Sequence, residues 1–118
     1  MQVDTAPVAF TSIGLDVRLL EGIRDLGFSE TRPIQSAVIT LALAGSDLIA
    51  CAETGSGKTC AFVVPMLQRL LRDGGLDANP AAPKRSRVLV LAPTRELAVQ
   101  IEDEIHGLSY HTTITSAA

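Results

Sequence analysis

The sequence predicts an α/β fold in which helices cover a parallel β-sheet. Two short apolar segments, DLIACA at 47–52 and RVLVLA at 87–92, have the length of buried strands, and each precedes a longer segment with helical periodicity. Strands that are apolar on both faces and alternate with helices are typical of parallel sheets. The 118 residues suffice for one compact domain, and a hydrophobic content of 47% suffices for a core.

Four helices are predicted, in chain order, at 15–26, 34–44, 58–72 and 94–107. Asp16 stands early in the first helix, and Gly27 is its stop signal. Pro33 suits the first turn of the second helix, which Gly45 ends. Pro65 is expected to bend the third helix.

The remaining segments are predicted to connect these elements. Residues 1–10 are expected to form a flexible lead-in, and 73–86 a surface loop, because the latter is rich in Gly, Pro and Asn. The segment TTIT at 112–115 is expected to begin a third strand.

Composition excludes several classes of protein. A net charge of −3 argues against a nucleic-acid binder held mainly by a basic face, although it allows a local contact strip. No apolar segment is long enough to span a membrane, and the first residues lack a signal-peptide core, so a cytoplasmic location is expected. Cys51 and Cys60 are expected to be free thiols.

The loop between the first predicted strand and the third helix has the composition of a phosphate-binding loop. Gly55 and Gly57 allow successive N–H groups to point into one concavity, and the helix N-terminus adds partial positive charge. Lys58 can reach the outer phosphates, and the Thr59 hydroxyl can ligate Mg²⁺. The general pattern has Gly where this chain has Ala52, which is also small. The residues expected to surround the phosphates are Ala52, Glu53, Thr54, Gly55, Ser56, Gly57, Lys58 and Thr59.

Three segments together resemble the beginning of the DEAD-box RNA helicases. GFSETRPIQ at 27–35 resembles the Q motif of that family, AETGSGKT at 52–59 its motif I, and PTRELA at 93–98 its motif Ia. The resemblance extends from about Phe10 to the last residue, and the three motifs in this order are highly specific. It implies the N-terminal portion of the first RecA-like lobe of an ATP-dependent RNA helicase, which unwinds or remodels RNA.

The same resemblance assigns roles to the nucleotide-site residues. Gln35 would read the adenine edge, Phe10 would stack on the adenine face, and Phe28 and Arg32 would shape the pocket. The implied cofactors are ATP or ADP and Mg²⁺. Without the resemblance, Gln35 would be an ordinary helix residue.

A second set of roles concerns RNA and catalysis. Pro93, Thr94 and Arg95 follow a predicted strand, at the edge where open α/β sheets bind ligands, and the resemblance implies contacts with the RNA backbone. Such contacts carry no base specificity. Thr94 also suits a helix N-cap, and Arg95 also suits a pair with its neighbouring glutamate. Lys58 and Thr59 would be the catalytic residues, and Thr59 the metal ligand.

The family's DEAD tetrapeptide and the motifs of its second lobe are absent from this sequence. The chain is therefore expected to be an incomplete part of a helicase domain, unable by itself to turn over ATP, with the remainder of the helicase core as its partner. The resemblance also implies that the strands between 47–52 and 87–92 come from later sequence, which leaves unpaired sheet edges. The alternatives are another phosphate-loop NTPase and a non-catalytic fragment that binds nucleotide or RNA.

Overall fold

The computed structural model describes residues 3–53, 55, 57–72 and 85–118. The predictions for Thr54, Ser56 and most of the surface loop at 73–86 lie outside these described residues.

Helices account for the regular structure of the described residues. The element order is a 3₁₀ helix at Phe10–Ser12 followed by α1 (Val17–Asp25), α2 (Pro33–Leu43), α3 (Lys58–Arg72) and α4 (Arg95–Leu108). All four predicted helices are confirmed to within two residues at each end.

The predicted start and stop signals form the expected contacts. The Asp16 carboxylate accepts a hydrogen bond from the Arg18 backbone N–H at 2.9 Å and caps α1. The Arg18 guanidinium, 3.1 Å from the same oxygen, holds the pKa of Asp16 below its ordinary value. Gly27 follows α1 with φ of +84°, and Gly45 follows α2 with φ of +92°. The Thr94 hydroxyl accepts from Leu97 N–H at 3.1 Å, so Thr94 is the N-cap of α4.

No β-sheet is formed within the described residues, so the predicted sheet is not confirmed there and stays a prediction. The β-pairing there is a single antiparallel bridge between Ala9 and Glu30. The segments 47–52, 87–92 and 112–115 contain neither helix nor paired strand. An apolar segment becomes a strand only when a neighbouring strand takes up its backbone hydrogen bonds, and the described residues supply no such neighbour.

The unpaired segments expose large apolar side chains. Ile49 is 99% exposed, and Leu89 and Leu91 are 82% and 84% exposed. Val88 and Val90, which alternate with the two leucines, are only 42% and 37% exposed, and Ala92 packs against the core. The side chains on one side of 87–92 are therefore more exposed than those on the other side.

The hydrophobic core lies among the four helices and the 3₁₀ helix. α2 and α3 form the most extensive contact, and α1 packs against both α3 and α4. The buried core residues are Phe10, Leu15, Leu19, Ile23, Ile39, Cys60, Val63, Val64, Leu67, Leu71, Ile101, Ile105 and Leu108. In the described part of the chain, no helix is both long and apolar enough to cross a membrane.

Residues 4–10 are anchored, which corrects the prediction of a flexible lead-in for this part of 1–10. Phe10 is 2% exposed, and its N–H donates to the Ser29 carbonyl at 3.1 Å. Thr31 N–H donates to the Val8 carbonyl at 2.8 Å. Residues 4–10, here called the N-terminal strap, are therefore bound to the loop between α1 and α2.

Both cysteines are free thiols, as predicted. Cys51 is exposed and Cys60 is buried in α3. Burial raises the pKa of the Cys60 thiol to about 12, and the nearby negative charge of Glu104 adds to the effect. Burial also raises the pKa of Glu104 itself.

Replacing Glu104 by glutamine is expected to stabilise the chain slightly at neutral pH. The raised pKa of Glu104 means that the folded parent chain binds this proton more tightly than the unfolded chain does. Proton binding to Glu104 therefore stabilises the parent fully below the unfolded pKa, and this stabilisation is lost as pH rises through the folded pKa. Glutamine stays neutral, so it avoids the cost that the ionised carboxylate has at neutral pH. At pH 7 the gain should be roughly 0.5 kcal/mol or less, because solvent screens a partly exposed carboxylate. It should vanish as pH falls below the ordinary value of 4.5.

Thermal denaturation between pH 4 and pH 7 measures this difference. Asp103→Asn, on the exposed neighbouring position of α4, controls for the general effect of removing one negative charge. An equal pH dependence for the two variants would contradict the role assigned to burial of Glu104.

Candidate nucleotide site

The loop before α3 has the backbone that a phosphate site requires. Gly55 and Gly57 have φ of +80° and +90°, in the left-handed region that glycine adopts without steric cost. Lys58 is the exposed first residue of α3, and Thr59 follows it half-buried. The first N–H groups of a helix lack acceptors within that helix, so this turn carries free donors and partial positive charge.

Two side chains from the start of α2 bind the carbonyl groups of this loop. Arg32 Nη1 donates to the Gly55 carbonyl at 2.6 Å, and Gln35 Nε2 donates to the Gly57 carbonyl at 3.3 Å. Gln35 Oε1 accepts from the Arg32 backbone N–H at 2.9 Å, which links the two donors. We call these four residues the loop clamp. It joins segments that are 22 and 23 residues apart in the chain.

The clamp uses part of the hydrogen-bonding capacity of Gln35. A glutamine amide has two N–H donors and two acceptor lone pairs, and the loop clamp takes one of each. One N–H and one lone pair of the amide take no part in the loop clamp. The side chain is 3% exposed, so its orientation is fixed by the surrounding protein.

Gly57 lies closer to the Gln35 and Arg32 side chains than any residue with a side chain of its own could. A Cβ atom at this position would lie 2.5 Å from Gln35 Nε2 and 3.3 Å from Arg32 Cδ. The position therefore requires glycine for its φ angle and for the space.

The two predicted aromatic residues belong to the core. Phe10 is buried among core residues, and Phe28 is half-buried against the same cluster. The structure does not bring the Phe10 ring to an open face beside the loop clamp. Stacking on adenine would require that ring to be uncovered, and this role stays a prediction.

A pocket of about 490 Å³ adjoins the clamp, within the range of small-molecule sites. Of the predicted nucleotide residues, Arg32, Ala52 and Glu53 line it. Its other walls come from the N-terminal strap, α2 and the segment before the loop, through Thr5, Pro33, Ile34, Ala37 and Cys51. Sequence reasoning missed Thr5, because neither a motif nor a periodicity marks it.

The predicted RNA-binding residues form a separate exposed group. Pro93, Thr94 and Arg95 are all exposed at the beginning of α4. The Thr94 oxygen accepts the cap hydrogen bond, which leaves the hydroxyl proton available for donation. Among the described residues, no ion pair joins Arg95 to Glu96, so the alternative structural role of this arginine is not observed.

Comparisons with known proteins show that this chain is similar to several helicases. Residues 32–118 match the family model of the DEAD/DEAH box helicases. The chain is 49% identical over 94 residues to the ATP-dependent RNA helicase DRS1 of Saccharomyces cerevisiae. The aligned segment covers 80% of this chain and 12% of that protein. It is 46% identical over 108 residues to the probable ATP-dependent RNA helicase ddx27 of Dictyostelium discoideum, with 91% and 13% covered.

Two solved structures have a fold similar to that of this chain. The RNA helicase Prp28 from Chaetomium thermophilum, bound to ADP, superposes with a TM-score of 0.74 at 36% identity. That similarity covers 93% of this chain and 26% of the solved chain. A Saccharomyces cerevisiae Dbp5 variant bound to a Gle1 variant and IP6 gives a TM-score of 0.75 at 31% identity, with 98% and 27% covered. Both neighbours are RecA-like helicase structures, of which this chain spans about a quarter.

Proposed function

Because the chain belongs to the DEAD/DEAH box helicase family, we propose that it is the ATP-binding part of an ATP-dependent RNA helicase that unwinds or remodels RNA. The observation that carries this proposal is the loop clamp, which connects the Q-motif and motif I segments through direct hydrogen bonds. The chain spans 12% to 13% of the helicases it matches, so hydrolysis and unwinding are proposed for the whole protein.

The proposed nucleotide site places each part of ATP on a different group of residues. The N–H groups of the loop and of the first turn of α3 would bind the phosphates, with Lys58 reaching the outer ones. Mg²⁺ would be held through the Thr59 hydroxyl and would neutralise phosphate charge. The remaining donor and acceptor of Gln35 would recognise the adenine edge, because together they match its adjacent acceptor and donor.

The unpaired apolar segments support the proposed RecA-like sheet. We propose that 47–52 and 87–92 are strands whose neighbours come from sequence beyond this chain. The uncovered side chains of Ile49, Leu89 and Leu91 are then the sheet face that such neighbours and their helices bury. RNA would contact Pro93, Thr94 and Arg95 through its backbone, without base specificity. The location proposed with this function is the cytoplasm.

Calorimetric titration with Mg·ADP and Mg·GDP tests the nucleotide site. The chain is expected to bind ADP at least about tenfold more tightly than GDP. Guanine has an acceptor where adenine has a donor and a donor where adenine has an acceptor, so it would leave the Gln35 amide unpaired. Gln35→Ala should abolish this preference, whereas Gln100→Ala, an exposed glutamine of α4, should retain it. Equal binding of the two nucleotides by the parent chain would favour a generic phosphate-loop NTPase instead.

A further inference from the structure

We propose that Thr31 and Ser36 are positioning residues, which fix the loop clamp by docking the N-terminal strap onto the start of α2. The inference rests on the proposed nucleotide site, and it assigns the strap a part in that site. Its basis is a set of hydrogen bonds between two hydroxyl groups and the strap backbone.

The two hydroxyl groups contact each other and the strap. Thr31 Oγ1 and Ser36 Oγ are 2.6 Å apart. Val8 N–H donates to Thr31 Oγ1 at 2.9 Å, and Ser36 Oγ donates to the Ala6 carbonyl at 2.8 Å. Thr31 is 4% exposed, so water does not readily replace the two partners of its hydroxyl group, whereas the bond from Ser36 to Ala6 is exposed.

The direction of the hydroxyl–hydroxyl bond follows from counting protons. Each hydroxyl has a single proton to donate. Ser36 donates its proton to the Ala6 carbonyl, so Thr31 must be the donor in the contact between the two side chains. A continuous series of donors therefore leads from Val8 N–H through Thr31 and Ser36 to the carbonyl of Ala6. Both ends of this series lie on the strap, so removing either hydroxyl breaks it.

The hydroxyl pair brackets the clamp residues in the sequence. Thr31 directly precedes Arg32, and Ser36 directly follows Gln35. Arg32 and Gln35 hold the carbonyl groups of the phosphate loop. Fixing the residues on either side of this segment fixes where its two side chains point. The strap thus acts on the loop through the first turn of α2.

The strap also forms part of the adjoining pocket. Thr5 lines the 490 Å³ pocket together with Arg32, Ala52 and Glu53. Undocking the strap would remove one wall of this pocket and release the start of α2 at the same time. We therefore expect nucleotide affinity to depend on residues that do not touch the nucleotide.

The test compares isosteric and conservative variants by calorimetry with Mg·ADP. Thr31→Val keeps the shape but removes the hydroxyl, and it should weaken ADP binding about tenfold. Ser36→Ala should have a similar effect and serves as the second variant if Thr31→Val does not fold. Thr31→Ser retains the hydroxyl and should restore parental affinity. Ser12→Ala removes an exposed hydroxyl that bonds the strap at the Ala9 carbonyl but is not part of the Thr31–Ser36 series, and this variant should bind ADP as the parent does.

A spectroscopic measurement tests whether the two hydroxyl groups position Gln35, and it does so without depending on nucleotide binding or on overall stability. Hydrogen exchange at the Gln35 side-chain amide, followed by NMR, reports on its bond to the Gly57 carbonyl without any nucleotide. Faster exchange in Thr31→Val and Ser36→Ala, with parental exchange in Thr31→Ser and Ser12→Ala, supports the inference even if the parent chain fails to bind ADP. The inference is overturned if the strap amides of Val8 and Phe10 lose protection while Gln35 exchange and ADP affinity stay at parental values.

Discussion

Replacing Gly57 by alanine is expected to separate the phosphate loop from Gln35 and to weaken Mg·ADP binding about a hundredfold. The new Cβ would lie 2.5 Å from Gln35 Nε2, so the hydrogen bond to the Gly57 carbonyl could not persist. The φ of +90° adds strain, because a side chain disfavours this backbone region by about 1–2 kcal/mol. Together with the lost hydrogen bond, the total of about 2.7 kcal/mol corresponds to the hundredfold change.

Gly55→Ala is the matched control for this prediction. Gly55 lies in the same loop with φ of +80°, but a Cβ there would meet no atom within 4 Å. This variant carries the backbone strain without the collision, so its loss of affinity should be about tenfold. Titration of both variants with Mg·ADP gives the difference. Equal losses would show that the close approach to Gln35 is unimportant.

A double variant identifies the colliding group. In Gln35→Ala the nitrogen that meets the new Cβ is absent, so adding Gly57→Ala should then have a smaller effect than in the parent chain. Strictly additive losses would place the cause of the Gly57 effect elsewhere in the loop. The comparison therefore tests the clamp independently of any role of Gln35 in adenine recognition.

The helices were predictable because their signals are local. Asp16 and Thr94 cap helices through bonds to residues two and three positions away, and Gly27 and Gly45 end helices through their own φ angles. These interactions need no knowledge of the rest of the fold. The strands have the opposite character, since an apolar segment such as 87–92 requires partners from distant sequence. The sequence therefore predicts a strand at 87–92 from its apolar residues, but it cannot show which segment would pair with it.

The residues of the proposed nucleotide site could be chosen from the sequence, but the contacts among them could not. The resemblance to the helicase family assigned Arg32, Gln35 and the loop glycines to one proposed nucleotide site, whereas their direct hydrogen bonds result from the packing of α2 on α3. The strap was missed for a related reason. Its partners, Thr31 and Ser36, lie more than twenty residues away and interact through hydroxyl groups, which leave no periodic pattern.

Local propensity and packing make opposite predictions for Gly22, and packing is expected to prevail. Gly22 lies inside α1, where alanine would ordinarily stabilise a helix by about 1 kcal/mol. A Cβ atom at this position, however, would lie 2.3 Å from the carbonyl oxygen of Leu108 and 2.8 Å from its carbonyl carbon. Both are backbone atoms, so the collision cannot be relieved by a change of rotamer.

The end of α4 also has little freedom to move away from α1. Leu108 is fully buried, and His111 lies 2.6 Å from Asp25 and 3.4 Å from Glu21 through its two ring nitrogens. Separating the helices would open the core at Leu108 and break these contacts with α1. Overpacking that displaces backbone costs about 3 kcal/mol or more, which exceeds the gain in helix propensity.

Gly22→Ala is therefore expected to destabilise the chain by about 2–3 kcal/mol, which corresponds to a melting temperature lower by roughly 10 °C. Gly107→Ala is its control in the partner helix of the same interface. Its Cβ would meet Leu26 Cδ2 at 3.2 Å, but this is the end of a flexible side chain that is 41% exposed and can turn away. That variant should melt within a few degrees of the parent. Thermal denaturation of Gly22→Ala at or above the parental temperature would show that α1 and α4 do not approach each other as closely as this structure requires.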